Sequence, residues 1–230
     1  DGERNPHELS TAEMQVIIKN FVESARRAKT IGIDGIELHA AHGYLLHQFL
    51  SPIANQRQDQ YGGSLENRMR FVLELFSAVR KEWGGVLGVR LSASDWIENG
   101  WSLEESVELT QRLKSLGCDY IHVSSGGISP KQKIQLGPNY QVPFAKEIKQ
   151  KTGMATMAVG LITEPIQAEE ILQNHEADLI ALARAFLYKP RWGWEAAAAL
   201  QGHVSASPQY WRCLPREAQA VFADVKMGQR

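Results

Sequence analysis

Apolar positions along the chain follow two spacings in turn. Met14, Ile17, Ile18, Phe21, Val22, Ala25 and Ala28 recur every three to four residues, the period of one helix face. Ser10-Thr11-Ala12-Glu13 ahead of them is a capping box, in which hydroxyl and carboxylate satisfy each other's orphan backbone donors, and Gly32 closes the helix. The apolar run over 33–39 then predicts a buried strand that ends abruptly in His39-Ala40-Ala41-His42-Gly43-Tyr44. A polar segment over 51–63 precedes a second helix with Leu65, Met69, Val72, Phe76, Val79 and Trp83 on one face, ended by Gly84-Gly85.

From there the alternation is regular. Strands are expected over 86–91, 120–123, 154–159 and 178–183. Between them lie a helix opened by the capping box Ser102-Leu103-Glu104-Glu105 and ended at Gly117, a short helix from Phe144 to Lys151 behind Pro143, and a helix capped by Thr163 that carries Ile166, Ile171 and Leu172. A final helix around Trp194 to Leu200 precedes a polar tail. Strands that read as continuous rather than alternating apolar runs signal a parallel sheet covered on both faces. A five-stranded doubly wound sheet is one solution. The polar residues at nearly every strand end, with no glycine-rich dinucleotide turn after the first strand, favour a (β/α)8 TIM barrel, of which this chain carries five strands. One domain over 1–230 is the simplest account, with a C-terminal tail from about 203.

Composition adds limits. With 43% hydrophobic and 22% charged residues the chain has the make-up of a globular domain, and a net charge of -1 gives no field to attract nucleic acid. No apolar run approaches the roughly 20 residues needed to cross a bilayer, so a cytoplasmic location and no membrane partner are expected. Cys118 and Cys213 sit in no metal or cluster pattern and are expected to pack. The chain enters its first helix almost at once after Asp1 and is expected to be part of something longer.

Three groups could carry chemistry. His39 and His42, three apart, can both donate hydrogen bonds to an oxygen on which negative charge builds, and Tyr44 could supply a proton; satisfied core histidines are the bland alternative and a metal pair the other, with no third ligand evident. Arg90 lies within an apolar strand and must meet an anion, either a structural carboxylate or a bound cofactor. Gly160 and the pair Ala183-Arg184 follow the last two strands, where barrels commonly bind phosphate; taken together they favour that reading over a turn glycine and a solvated arginine. Ser124-Ser125-Gly126-Gly127 could cradle a cofactor, though such a loop is more often only a turn.

Ser51-Pro52, Asn55, Arg57, Asp59, Tyr61-Gly62-Gly63-Ser64, Glu66-Asn67-Arg68 and Arg70-Phe71, following HAAHGYLLHQFL, resemble the signature of the old yellow enzyme family of flavin-dependent ene reductases, in its YqjM-like and xenobiotic reductase branch. The similarity runs on through VRLSASD, HVSSGG, MATMAVGLIT and ADLIALARAFL. The resemblance implies a (β/α)8 barrel that holds FMN, with NADPH as hydride donor and activated alkenes such as enones, and also nitro compounds, as small-molecule substrates. It implies that His39 and His42 bind the substrate oxygen, Tyr44 is the proton donor, Arg90 lies by the flavin ring, and Gly160, Ala183 and Arg184 bind the phosphate. Arg212, in Gln209-Tyr210-Trp211-Arg212, matches a tail arginine that reaches a neighbouring subunit's site, which implies a homo-oligomer.

The resemblance covers only the last two thirds of such an enzyme, roughly strands 4 to 8. The chain is therefore expected to be a fragment, to need a missing N-terminal segment or partner chain, or to be a truncated product. The rival reading is an inactive barrel remnant that still binds a phosphate-bearing ligand.

Overall fold

The computed structural model describes residues 7–214 and 216–223. Helix α1 (Thr11–Thr30) feeds strand β1 (Gly35–Ala40), and a short helix α2 (Leu45–Leu50) with a long loop leads to α3 (Leu65–Glu82) and β2 (Val86–Ser92). Then come α4 (Leu103–Ser115), β3 (Tyr120–Ser124), α5 (Val142–Thr152), β4 (Thr156–Val159), α6 (Pro165–Gln173), β5 (Leu179–Ala181), α7 (Arg184–Tyr188) and α8 (Trp192–Ala199).

The strands form one all-parallel sheet in the order β1-β2-β3-β4-β5. That order separates the two architectures. A doubly wound sheet reverses direction at a switch point, whereas a barrel adds each strand on the same side of the last. The chain supplies five consecutive βα units of a (β/α)8 barrel, and β1 and β5 each keep a free edge among the described residues.

The strands are not the continuous apolar runs the sequence suggested. In β2, Leu87, Val89 and Leu91 are fully buried while Gly88, Arg90 and Ser92 take the other face, because successive side chains alternate. In β1, Leu38 and Ala40 oppose Glu37 and His39; in β3, Ile121 and Val123 oppose Tyr120, His122 and Ser124. The apolar face belongs to one cluster with Met14 of α1, Val72, Leu75, Phe76 and Val79 of α3, Leu109 and Leu113 of α4, and Ile148 of α5. Each such buried side chain contributes about 1.5–3 kcal/mol. The opposite face is polar, and it becomes the barrel interior.

One device recurs at the N-terminal ends of the strands. Asp119, just ahead of β3, accepts from the Leu87 N–H of β2 at 2.7 Å, and Asp178, just ahead of β5, accepts from the Thr156 N–H of β4 at 2.9 Å. Each carboxylate also meets a cation from the helix that precedes its partner strand, Arg80 at 3.0 Å and Lys149 at 2.8 Å.

Both expected capping boxes form, at Ser10 with Glu13 and at Ser102 with Glu105. Other boundaries shift. Glu164 rather than Thr163 is the N-cap of α6, since Gln167 Oε1 accepts from both the Thr163 and Glu164 N–H groups one turn early. Helix α5 begins at Val142 and α8 at Trp192, while β4 and β5 are shorter than expected. The tail is not simply polar: Trp194 and Ala197 of α8 share a small apolar cluster with Val204, Tyr210, Trp211 and Phe222. Residues 224–230 of the expected tail lie outside the described residues.

Gly88 is fixed by packing. A Cβ there would fall inside the Tyr120 ring, which crosses β2 at this point. Gly88→Ala should therefore cost about 1–3 kcal/mol, the usual range for forced overpacking, read as a lower urea midpoint at unchanged slope. An unchanged midpoint would mean the ring moves aside freely.

Candidate active site

His39, Arg90 and His122 are register partners across β1, β2 and β3, so three nitrogen-bearing side chains stand abreast on the interior face. The acidic group of this face is Glu37. His122 Nδ1 lies 3.1 Å from Glu37 Oε2, and the Tyr120 hydroxyl, having crossed Gly88, donates to the same oxygen at 3.1 Å. Burial would push the Glu37 carboxyl up, but the bonds from His122 and Tyr120 and the charge of Arg90 hold it below its ordinary value. The Tyr120 phenol moves the other way, raised by burial and by Glu37.

Arg90 has no carboxylate within ion-pair distance among the described residues, and its Nε is buried without a hydrogen-bond partner. His122 Nε2 is buried and unpartnered as well. The guanidinium is half-buried, with Glu37 near enough to feel its charge, and its unpartnered Nε leaves room for a further acceptor.

Above this row the chain turns sharply. His42 and Gly43 both take left-handed backbone, with φ of 58° and 76°, and Tyr44 caps α2. The turn brings three rings together: His39 lies 5.2 Å from His42 and 5.4 Å from Tyr44, centroid to centroid. The His42 N–H donates to Ser92 Oγ at 3.0 Å, and its ring Nε2 pairs with Ser124 Oγ at 2.7 Å. Burial, and then the charge of Arg90, push the His42 imidazolium down to about 4 and lower His39 in the same way. Near neutral pH both rings are uncharged, and each carries one N–H. Tyr44 is 63% exposed at the mouth.

At the other end of the sheet, Gly160 follows β4 with φ of 115°, and Ala183 and Arg184 begin α7 directly after β5. Gly160 backs onto Gln141, whose Nε2 donates to the Val159 carbonyl at 2.8 Å and whose Oε1 accepts from Ser125 Oγ at 2.6 Å. The exposed Arg184 acts electrostatically on Tyr140. An unpaired interior guanidinium, together with a glycine and a cation at neighbouring strand ends, fits a ligand with an electron-rich ring edge and a phosphate. Arg212 is exposed on the tail, and the hydrogen bonds of the histidine group do not involve it.

The sequence reading missed Glu37, Tyr120, His122, Ser92 and Gln141. The first three were legible as alternate positions of β1 and β3, two residues from His39 and either side of Ile121. Ser92 and Gln141 act only across the fold. Much of the longer signature, by contrast, is a brace. Asn55 Nδ2 donates to the Phe49 and Tyr61 carbonyls, each at 2.7 Å, Arg57 pairs with Asp59, and Arg68 bridges the Leu50 and Gly63 carbonyls to Glu105. Cys118 is packed, as expected, its thiol pushed up to about 12 by burial, whereas Cys213, also expected to pack, is exposed on the tail.

Among the described residues no helix is long and apolar enough to cross a membrane, and no three His, Cys, Asp or Glu side chains are placed to share a metal ion.

Residues 1–202 match the family model described as NADH:flavin oxidoreductase / NADH oxidase. An NADPH dehydrogenase of Geobacillus sp. (strain WCH70) is 51% identical over 209 residues, covering 91% of this chain and 61% of that protein. One from Bacillus subtilis (strain 168) is 44% identical over 207 residues, covering 90% and 61%. The chain thus spans about 61% of the length of these relatives. Among solved structures, 2-naphthoyl-CoA reductase superposes with a TM-score of 0.78 at 28% identity, covering 85% of this chain and 30% of that one. Morphinone reductase superposes with a TM-score of 0.71 at 28% identity, covering 89% and 54%.

His42 should titrate near pH 4 by ring NMR, against an ordinary value of 6.5. Its neutral form is the one the fold accommodates, so stability should fall as pH drops from about 6.5 toward 4. Arg90→Gln should raise the midpoints of both His39 and His42; unmoved midpoints would show that burial alone sets them.

Proposed function

Because the chain belongs to the NADH:flavin oxidoreductase / NADH oxidase family, as one of the old yellow enzymes, we propose that it is the flavin- and substrate-binding part of an FMN-dependent NADPH oxidoreductase that reduces activated alkenes such as enones. Nitro compounds are the second substrate class. The observation that carries this reading is Arg90, an interior-facing cation with no carboxylate within ion-pair distance among the described residues and with an unpartnered buried Nε, set between His39 and His122. Bound FMN would supply hydride to the electron-poor carbon after accepting it from NADPH.

The chain's own groups do the rest. Arg90 would hold the electron-rich edge of the flavin ring, where its charge would stabilise negative charge on the bound ring. Gly160, Ala183 and Arg184 would hold the phosphate, the glycine by letting the backbone approach it and the arginine by its charge. His39 and His42 each donate one N–H to the substrate's carbonyl or nitro oxygen. As neutral imidazoles they polarise that oxygen without adding charge beside Arg90. Tyr44 delivers a proton to the α carbon from the open mouth of the site. NADPH and alkene occupy this pocket in turn, which gives ping-pong kinetics. In a homo-oligomer Arg212 reaches the site of the neighbouring copy, and the enzyme works in the cytoplasm.

A second reading rests on the free edges of β1 and β5 and on Phe186, Leu187 and Tyr188 exposed beside the latter. In it the chain holds a phosphate-bearing ligand without turnover until a further segment or partner chain supplies the remaining strands.

The deciding measurement is an absorbance spectrum of the 230-residue chain, before and after FMN and then NADPH without oxygen. A protein-bound flavin band that bleaches with NADPH is expected; no bound flavin would favour the second reading. Tyr44→Phe should slow alkene reduction by about 10²–10⁴-fold, the usual weight of a positioned acid, and leave bleaching by NADPH near the parent rate. Equal loss in both half-reactions would remove Tyr44 from the acid role.

A further inference from the structure

Behind the histidine turn lies a further histidine that the proposed chemistry does not use. His47 of α2 and Asp95, in the loop after β2, pair at 2.8 Å between His47 Nε2 and Asp95 Oδ1, with both side chains completely buried. The directions of their hydrogen bonds can be assigned from backbone groups alone. The Gly43 N–H, which can only donate, meets His47 Nδ1 at 2.9 Å. Nδ1 must therefore carry a lone pair, and the ring proton sits on Nε2, where it is donated to Asp95. At the other end the Trp101 N–H, again only a donor, meets Asp95 Oδ2 at 2.7 Å, and Ser51 Oγ donates to the same oxygen at 2.6 Å. Both carboxylate oxygens are acceptors, as an ionised group requires. Burial alone would raise the Asp95 carboxyl, yet the bonds from His47, Ser51 and Trp101 hold it below its ordinary value.

The result is a chain of bonds that converge on Asp95: the Gly43 amide donates to His47 and His47 to the carboxylate, which also accepts from the Trp101 amide and the Ser51 hydroxyl. Gly43 is the residue between His42 and Tyr44, and both it and His42 hold left-handed backbone. We propose that His47 and Asp95 are a positioning dyad that clamps the His42–Tyr44 turn through the Nε2–H tautomer of His47. The functional weight of the clamp rests on reading His42 and Tyr44 as substrate groups. The clamp itself does not.

The sign of every bond makes the dyad sensitive to isosteric change. In Asp95→Asn the amide has one acceptor and one donor end. With its oxygen toward Trp101, its NH2 faces His47 Nε2 and forces the ring proton onto Nδ1, against the Gly43 N–H. With its oxygen toward His47, its NH2 faces the Trp101 N–H. Neither orientation satisfies all the amides. At position 47, Asn can offer an acceptor near the place of Nδ1 and no donor to Asp95, whereas Gln can offer the donor and no acceptor to Gly43.

The test uses the full 230-residue chain with ¹⁵N-labelled histidine and no added ligand. At neutral pH, His47 should show a bare Nδ1 and a protonated Nε2; an Nδ1–H ring or an imidazolium overturns the proposal without any variant. In Asp95→Asn the Gly43 amide should exchange with solvent at least tenfold faster and the His42 ring signals should move, with the circular dichroism spectrum native. Unchanged Gly43 exchange overturns the proposal. Should that variant fail to fold, His47→Asn and His47→Gln decide: Gly43 protection should survive in the first and be lost in the second. Equal protection in both would show that His47 acts only by filling space. All these readouts are taken on the chain without flavin, so a failed FMN titration would strike the proposed function and leave the clamp standing.

Discussion

A guanidinium on the inner face of a parallel sheet, without a carboxylate of its own, is the constraint the rest of this structure answers to. Removing such a charge from water is costly unless something pairs with it. The available acid, Glu37, is engaged by His122 and Tyr120 instead. Arg90 cannot retreat, because its strand neighbours Val89 and Leu91 are locked into the core on the other face. Burial first, and then the like charge of Arg90, hold His39 and His42 below their ordinary value. One cation thus adds to burial in keeping the rings above it neutral.

The conspicuous motif after β1 divides into two physical jobs. Its first half, through Tyr44, bears the groups placed at the site. Its second half, from Ser51 to Arg68, mostly closes bonds with the chain itself, as Asn55 and Arg68 do by filling backbone carbonyls at both ends of a long loop. A loop of that length would otherwise leave its buried carbonyls unsatisfied. Its residue identities are therefore tied to folding as strongly as the histidines are tied to the site.

This division also explains what could be read without coordinates. Helix starts at Ser10 and Ser102 were legible because a capping box is a local event between residues three apart. Strand number and parallel order followed from the βα alternation; His39, His42 and Tyr44 stood out as polar groups at a strand end, and Arg90 as a charge within an apolar strand. Three things were not legible. Helices as short as α2 and α7 carry too few turns for a period. The N-cap of α6 was set by Gln167 reaching back, which moved it from Thr163 to Glu164. The pairings of Glu37 with Tyr120 and His122 join residues more than 80 positions apart, and no local pattern in the chain specifies such a distance.

Gly43 and Gly127 press against each other where the loops after β1 and β3 meet: a Cβ on Gly43 would strike the Gly127 carbonyl, and one on Gly127 the backbone of His42. Both also hold positive φ, at 76° and 96°. For anyone reshaping the pocket, these loops behave as one part with a fixed seam. Side chains introduced at the seam would meet these clashes, whereas the stretch around Leu136, in the longer part of the second loop, is exposed. Variation is best tolerated there, with the point of contact between the two loops left untouched.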